Sequence, residues 1–195
     1  MGARVSLITR AESYRLRFPK YPPPVVYGDW LYGIWEIGND YKGNGFYGSY
    51  PPRYLQRLQA LFPDHPPATW LHLFSGALKA TVGGMRADCN HELRPSVAAD
   101  AARLPFRDGS FSMVAADPPY TAADAARYGT KMVNRRAVML ELSRVVRPGG
   151  FVAWLDCVKP QYRKAEWKLF GEIGIARSTN HRVRFVFLFE RKPCA

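Results

Sequence analysis

Residues 111–120 read FSMVAADPPY, and they decide the fold of this 195-residue chain. Phe111 to Ala116 form a short apolar run, which Asp117, Pro118, Pro119 and Tyr120 end abruptly. An apolar run this short, bounded by breakers, reads as a buried strand. A proline pair cannot continue that strand and fixes the local backbone. One carboxylate and one aromatic ring are therefore held in a rigid corner at a strand end. Such a corner is either a plain turn or a clamp for something flat and polar.

The neighbouring stretches fall into alternating elements. Downstream, residues 134–146 (NRRAVMLELSRVV) place Val138, Leu142, Val145 and Val146 at helical spacing, and RPGG is expected to terminate that helix. Residues 151–157 (FVAWLDC) read as a strand and 166–174 (EWKLFGEIG) as a helix running into a turn. Residues 182–190 (RVRFVFLFE) read as a closing strand buried on both faces. Upstream, residues 51–62 (PPRYLQRLQALF) start with prolines, tolerated in a first helical turn, and put Leu55, Leu58, Leu61 and Phe62 on one face. Residues 68–74 (ATWLHLF) form a strand running into Ser75 and Gly76. GGMRAD and PSVAAD are strands ending in Asp88 and Asp100. Strands that alternate with crossovers, three of them ending in an acid, indicate an α/β sheet with a site along its carboxyl ends.

Residues 1–50 differ. They carry Tyr14, Phe18, Tyr21, Tyr27, Trp30, Tyr32, Trp35, Tyr41, Phe46, Tyr47 and Tyr50 among prolines and glycines. They read as an irregular aromatic-rich arm or lid, with one regular domain over residues 51–195. The arm's aromatics are expected to pack on the protein's own core.

Composition narrows the class. At 47% hydrophobic residues the chain is not a disordered one. No apolar stretch is long enough to span a bilayer, and the first twenty residues lack the apolar core of a signal peptide, so a cytoplasmic protein is expected. Cys89, Cys157 and Cys194 are odd in number and form no CxxC pair, which suits reduced thiols. Cys89 and His91 are two candidate ligands and do not make a zinc site, so no metal is expected. The formal net charge of +12 favours a polyanionic partner, and from Lys159 onward nine Lys/Arg face three Asp/Glu.

Together these elements resemble the class I S-adenosylmethionine-dependent methyltransferases. More narrowly, they are similar to the enzymes that methylate adenine N6, cytosine N4 or guanine N2. The likeness covers about residues 47–190 and rests first on Asp117-Pro118-Pro119-Tyr120, which matches the family's (D/N/S)PP(Y/F/W) motif. The resemblance implies a Rossmann-like doubly wound sheet of about seven strands, mostly parallel with an antiparallel C-terminal strand. It implies that S-adenosylmethionine is the cofactor, held by Phe74, Ser75 and Gly76 of a glycine loop, by Asp88 at the ribose, and by Asp100 and the Ala101 N–H at the adenine. Tyr47 is placed on the N-terminal side of that cofactor. Leu78 stands where the family has a second glycine, and His72 where an acid is common. A small residue between strand and helix would let backbone N–H groups face the ligand.

The resemblance further implies direct transfer to an exocyclic amine. Asp117 and the Pro118 carbonyl accept the amine's two hydrogens, the prolines keep both acceptors rigid, and Tyr120 stacks the base. No covalent intermediate is needed, so none of the cysteines is expected to be a nucleophile. A base inside a duplex must be flipped out to reach such a corner. Asn180, His181, Arg182 and Arg184 offer donors to phosphates or base edges. DNA is the expected partner, with no membrane role. RNA guanine-N2 or adenine-N6 methylation is one alternative, and protein glutamine methylation another. A non-catalytic nucleic-acid-binding subunit, for which Leu78 speaks, is the alternative of another class.

Overall fold

A computed structural model describes residues 5–38, 50–177 and 180–193; the side chains of Arg177, Asn180, His181 and Arg182 lie outside it. The chain runs α1 (Leu7–Arg17), β1 (Val25–Tyr27), β2 (Trp30–Ile37), α2 (Tyr54–Leu61), β3 (Trp70–Leu73), β4 (Met85–Asp88), β5 (Val97–Ala98), β6 (Phe111–Ala116), α3 (Ala122–Arg127), α4 (Arg135–Val145), β7 (Val146–Asp156), β8 (Trp167–Arg177) and β9 (Asn180–Arg191).

All nine strands join one sheet in the order β1-β2-β8-β9-β7-β6-β3-β4-β5. β9 runs against β7 and β8, and β1 against β2. The other pairings are parallel. From β3 the chain steps outward to β4 and β5, then returns to β6 on the other side and continues to β7. That reversal is a topological switch point. The crevice beyond the carboxyl ends of β3 and β6 is where a doubly wound sheet takes its ligand. The seven strands β3 to β9, with β9 antiparallel, are the Rossmann-like sheet the sequence implies, and β1 and β2 widen it.

Helices cover both faces. On one, α4 buries Val138, Met139, Leu142 and Val145 against Leu71, Val114, Val152 and Trp154 of the sheet. On the other, α1 and α2 bring Tyr14, Phe18, Leu58 and Leu61 onto Met113, Ala115, Phe151 and Ala153. β6 is buried along its whole length, because both faces are covered.

Four local expectations are corrected. Residues 1–50 are not irregular throughout: α1, β1 and β2 are regular, and β2 lies parallel to β8 over seven residue pairs. Tyr14, Leu31 and Trp35 are core residues there, in keeping with aromatics that pack inward. Residues 166–174 are not helical but open the long strand β8, because Leu169, Phe170, Ile173 and Ile175 find partners on β9 and on the α1–α2 layer. Tertiary pairing overrides a short, ambiguous pattern here. RPGG does not separate helix from strand. β7 starts at Val146, directly after α4, and a register shift against β6 absorbs these residues. Asp100 does not end a strand either: β5 is only Val97–Ala98.

A fifth difference matters for function. No α-helix follows β3. Residues 74–84 hold only a short 3₁₀ turn, Ala80–Val82, before β4. Gly84 is required in this crossover, since it has φ +77 and a Cβ would lie 2.7 Å from the Trp70 carbonyl oxygen.

Candidate active site

The switch point gathers the strand-end residues. Phe74 follows β3 in the left-handed region, at φ +59, a strained conformation for a non-glycine residue. The turn it makes lets the Ser75 N–H bond the Ala87 carbonyl at 3.1 Å and the Gly76 N–H bond Oδ2 of Asp88 at 2.8 Å. Oδ1 of Asp88 accepts the Asn90 N–H at 2.9 Å. Asp88 thus ties the loop after β3 to the end of β4. A carboxylate offers about four acceptor positions, so these two bonds leave capacity for a diol. The Ser75 hydroxyl is buried without a partner. Leu78 packs on the core under α1 and α2.

Asp100 is exposed and accepts the Ala102 N–H at 2.9 Å, which makes an Asx turn beyond β5. Ala101 is buried in the α4-side core. Tyr47 lies outside the described residues, and so do the side chains of Asn180, His181 and Arg182.

At the end of β6, Pro118 is buried, and Asp117, Pro119 and Tyr120 are half-buried. The Tyr120 hydroxyl donates to Oδ1 of Asp117 at 2.5 Å and accepts from Nη1 of Arg184 at 3.2 Å. The Arg184 guanidinium carbon also sits 5.7 Å from the Tyr120 ring centre. Arg184 is 6% exposed, and its Nε and Nη2 are buried with no hydrogen-bond partner. Asp117, Tyr120 and Arg184, assigned from sequence to two different tasks, thus form one chain of contacts.

Two tyrosines complete the wall. Tyr50 donates to the Ala115 carbonyl at 2.9 Å and stacks on Tyr54, ring centres 5.3 Å apart. The Tyr54 hydroxyl is buried without a partner. Burial, and after it the carboxylates of Asp117 and Asp88, pushes the Tyr50 phenol well up. Burial, then the neighbouring Tyr50 phenol and the Asp117 charge, does the same to Tyr54, against the opposing pull of Arg184. Burial and Asp117 likewise raise Tyr120. All three phenols stay protonated; those of Tyr50 and Tyr120 act as donors.

A separate hub fixes the corner. Asp156, fully buried at the end of β7, takes Nε of Arg135 at 2.7 Å and Nη2 at 3.2 Å. It also accepts the Trp154 indole N–H and the backbone N–H groups of Cys157 and Val158. Nη2 of Arg135 reaches the Tyr120 carbonyl at 3.2 Å. The start of α4 is thereby bonded to the residue that closes the Asp-Pro-Pro-Tyr corner. Thr121 and Asp124 form a capping box that starts α3 immediately after it.

Arg135, Asp156, Tyr50 and Tyr54 escape the sequence reading. Asp156 carried a usable signal, since FVAWLD ends in an acid as the other strand candidates do. The other three show no pattern that separates them from core or surface residues.

The described residues offer no cluster of three or more metal-ligating side chains, and no helix among them is long and apolar enough to cross a membrane. Between the start of α4 and residues 159–166 runs a groove of about 720 Å³ whose lining includes Arg136, Lys159, Arg163 and Lys164 against the single acid Glu166.

No family model matches the chain, and no curated protein matches it. Among solved structures it is similar to the crystal structure of PH0226 protein from Pyrococcus horikoshii OT3, at 14% identity and a TM-score of 0.44, over 72% of this chain and 92% of that one. A likeness at that level bears on neither family nor activity.

Proposed function

We propose that the protein transfers a methyl group from S-adenosylmethionine to an exocyclic amine of a nucleobase, in DNA rather than RNA. The observation that carries this reading is the hydrogen-bonded chain Asp117–Tyr120–Arg184 at the switch point of a doubly wound sheet. The chain's own residues suit the cofactor in part. Asp88 has acceptor capacity for a ribose diol, and the unpartnered Ser75 and Tyr54 hydroxyls are polar atoms buried around the same crevice. The loop after β3 offers no helix N-terminus, so any hold on the cofactor's methionine part falls to side chains and to the Phe74–Gly76 turn. When bound, S-adenosylmethionine supplies an electrophilic methyl group on a sulfonium.

The protein's part is to present the amine. Asp117 accepts one amine hydrogen and the Pro118 carbonyl the other, which localises a lone pair otherwise delocalised into the ring. Pro118 and Pro119 keep both acceptors in place, and the Arg135–Asp156 pair anchors the corner from behind, so little reorganisation is left to the reaction. The Tyr120 ring stacks the base once its hydroxyl leaves Asp117. The basic groove beside α4 suits the phosphate backbone of the strand that carries the base.

A second reading, a non-catalytic nucleic-acid-binding subunit, is favoured by the helix-free loop after β3 and by Leu78 within it. Incubation with S-adenosylmethionine and DNA or RNA, followed by nucleoside mass spectrometry, separates the two. The proposal expects an N-methylated base, more in DNA than in RNA. Unmodified nucleosides from both, together with no heat of S-adenosylmethionine binding, favour the subunit.

A further inference from the structure

The groove beside α4 carries two chemistries, and phosphate answers only one of them. Its cations are Arg136, Lys159, Arg163 and Lys164. Among the described residues Arg136 and Lys164 have no acidic partner, while Arg163 and Lys159 hold Glu166 and Glu172 at 3.4 and 3.5 Å. Exposed pairs of this kind contribute little and are readily exchanged for another anion. The rest of the lining is largely apolar. Ala137 and Leu140 of α4 share it with Pro160 and Tyr162, and Leu140 stays 45% exposed. The Tyr162 ring is fixed edge-on by Phe189, with centres 4.9 Å apart. Asn134 and Gln161 add amides that can bond base edges.

The groove also lies beside the candidate active site. Asn134 and Arg136 flank Arg135, whose Nη2 bonds the Tyr120 carbonyl. The other wall follows Asp156, which holds that same arginine. The groove therefore opens one residue away from the group that anchors the Asp-Pro-Pro-Tyr corner. A DNA duplex turns phosphates and sugars outward and keeps its base faces stacked inside. It would satisfy the cations and leave the apolar wall facing water. An unpaired strand presents phosphates and base faces together, which is what a basic groove with a flat apolar wall takes. We infer that this groove binds an unpaired stretch of DNA, with phosphates on the cations and base faces against Leu140 and Tyr162. The acceptor base then comes from a single strand and reaches the corner without the cost of extrusion from a duplex. This inference rests on the nucleobase reading given above and specifies the state of the strand within it.

The test is a binding preference that requires no turnover. Fluorescence anisotropy compares a labelled mixed-sequence DNA strand, the same strand annealed to its complement, and an abasic strand of equal length. The wild-type protein should bind the unpaired strand about fivefold or more tighter than either of the others, the worth of one stacked base. Leu140→Gln should bring the unpaired and abasic strands within about twofold and leave the abasic strand's affinity unchanged. Replacing Arg163 and Lys164 together by Gln should flatten the slope of log affinity against log salt by about 1.4 for the unpaired strand. The same change at the exposed Arg15 and Arg17, in the last turn of α1, should leave that slope as it is. Duplex bound as tightly as the unpaired strand overturns the inference on the wild-type protein alone. So does a slope that falls no further in the groove variant than in the α1 variant. A duplex preference accompanied by a methylated base sinks only this inference, whereas no methylated base on any strand sinks the wider reading, whatever the preference.

Discussion

Arg10 and Arg184 are both buried, 2% and 6% exposed, yet they are completed to different degrees. Arg10 lies on α1. Its Nη1 and Nη2 hold the two oxygens of Asp64 at 2.7 and 2.9 Å, and Nη1 also takes the Leu61 carbonyl. Its guanidinium carbon sits 4.8 Å from the ring centres of Phe62 and Phe151. Burial pushes the Asp64 carboxyl up, but the Arg10 bonds and charge outweigh it and hold that carboxyl below its usual range. Arg184, near the head of β9, has one bond to a neutral hydroxyl and an unfilled fork. A guanidinium that staples a helix to its neighbour is closed by the chain itself. The one near the head of β9 is left with Nε and Nη2 buried and unpartnered.

This contrast has measurable consequences. The largest is at Arg10. Arg10→Met removes two charge-assisted bonds to Asp64, which keeps His65 Nε2 at 3.4 Å, and the bond to the Leu61 carbonyl; it should lower unfolding free energy by about 3–5 kcal/mol, read by urea denaturation. A loss under about 1 kcal/mol would erase the distinction between the two arginines.

The next effect concerns His72, whose Nε2 lies 3.1 Å from the Gly83 carbonyl and whose Nδ1 is buried without a partner. Burial lowers its pKa to about 4; the Gly83 bond opposes that and the Arg86 charge adds to it. The folded state thus binds its proton less readily than the unfolded chain, whose histidine titrates near 6.5. The stabilisation is complete above about pH 6.5 and is lost as pH falls towards 4, by roughly 3 kcal/mol. Denaturation curves at pH 7 and pH 4 should show this slope in the wild type and a shallower one in His72→Gln. Parallel slopes would remove His72 from the account.

The smallest effect is at Arg184. Arg184→Met removes a charge whose burial is poorly compensated, so its stability change should stay within about 1 kcal/mol. A loss as large as that of Arg10→Met would show that Arg184 is a staple too.

Much of this organisation was legible in the chain. FSMVAA bounded by DPPY is a central strand, buried on both faces, with its carboxylate at the switch point. The apolar spacing of Val138, Leu142 and Val145 marks α4, and the acids Asp88 and Asp117 stand at strand ends. What misled was local pattern without its tertiary partner. EWKLFGEIG carries both periodicities weakly, and only pairing with β9 and β2 makes it a strand. The aromatic N-terminal stretch mixes prolines and glycines with rings, and α1 shows its inward face only when Tyr14 and Arg10 meet α2 and its C-terminal end. Within the site, Asp117 and Tyr120 could be named because four adjacent residues form a motif. Their link to Arg184 spans 64 residues and follows from the antiparallel placement of β9.

The most direct test is single-turnover methyl transfer at saturating S-adenosylmethionine to a strand that mass spectrometry shows to be modified, with wild type and Asp117→Ala side by side. Losing one preorganised acceptor at the reacting amine should slow transfer by about 10²–10³, while cofactor affinity and melting temperature stay close to wild type. Transfer by Asp117→Ala within a few-fold of the wild-type rate would contradict the account and leave Asp-Pro-Pro-Tyr a turn.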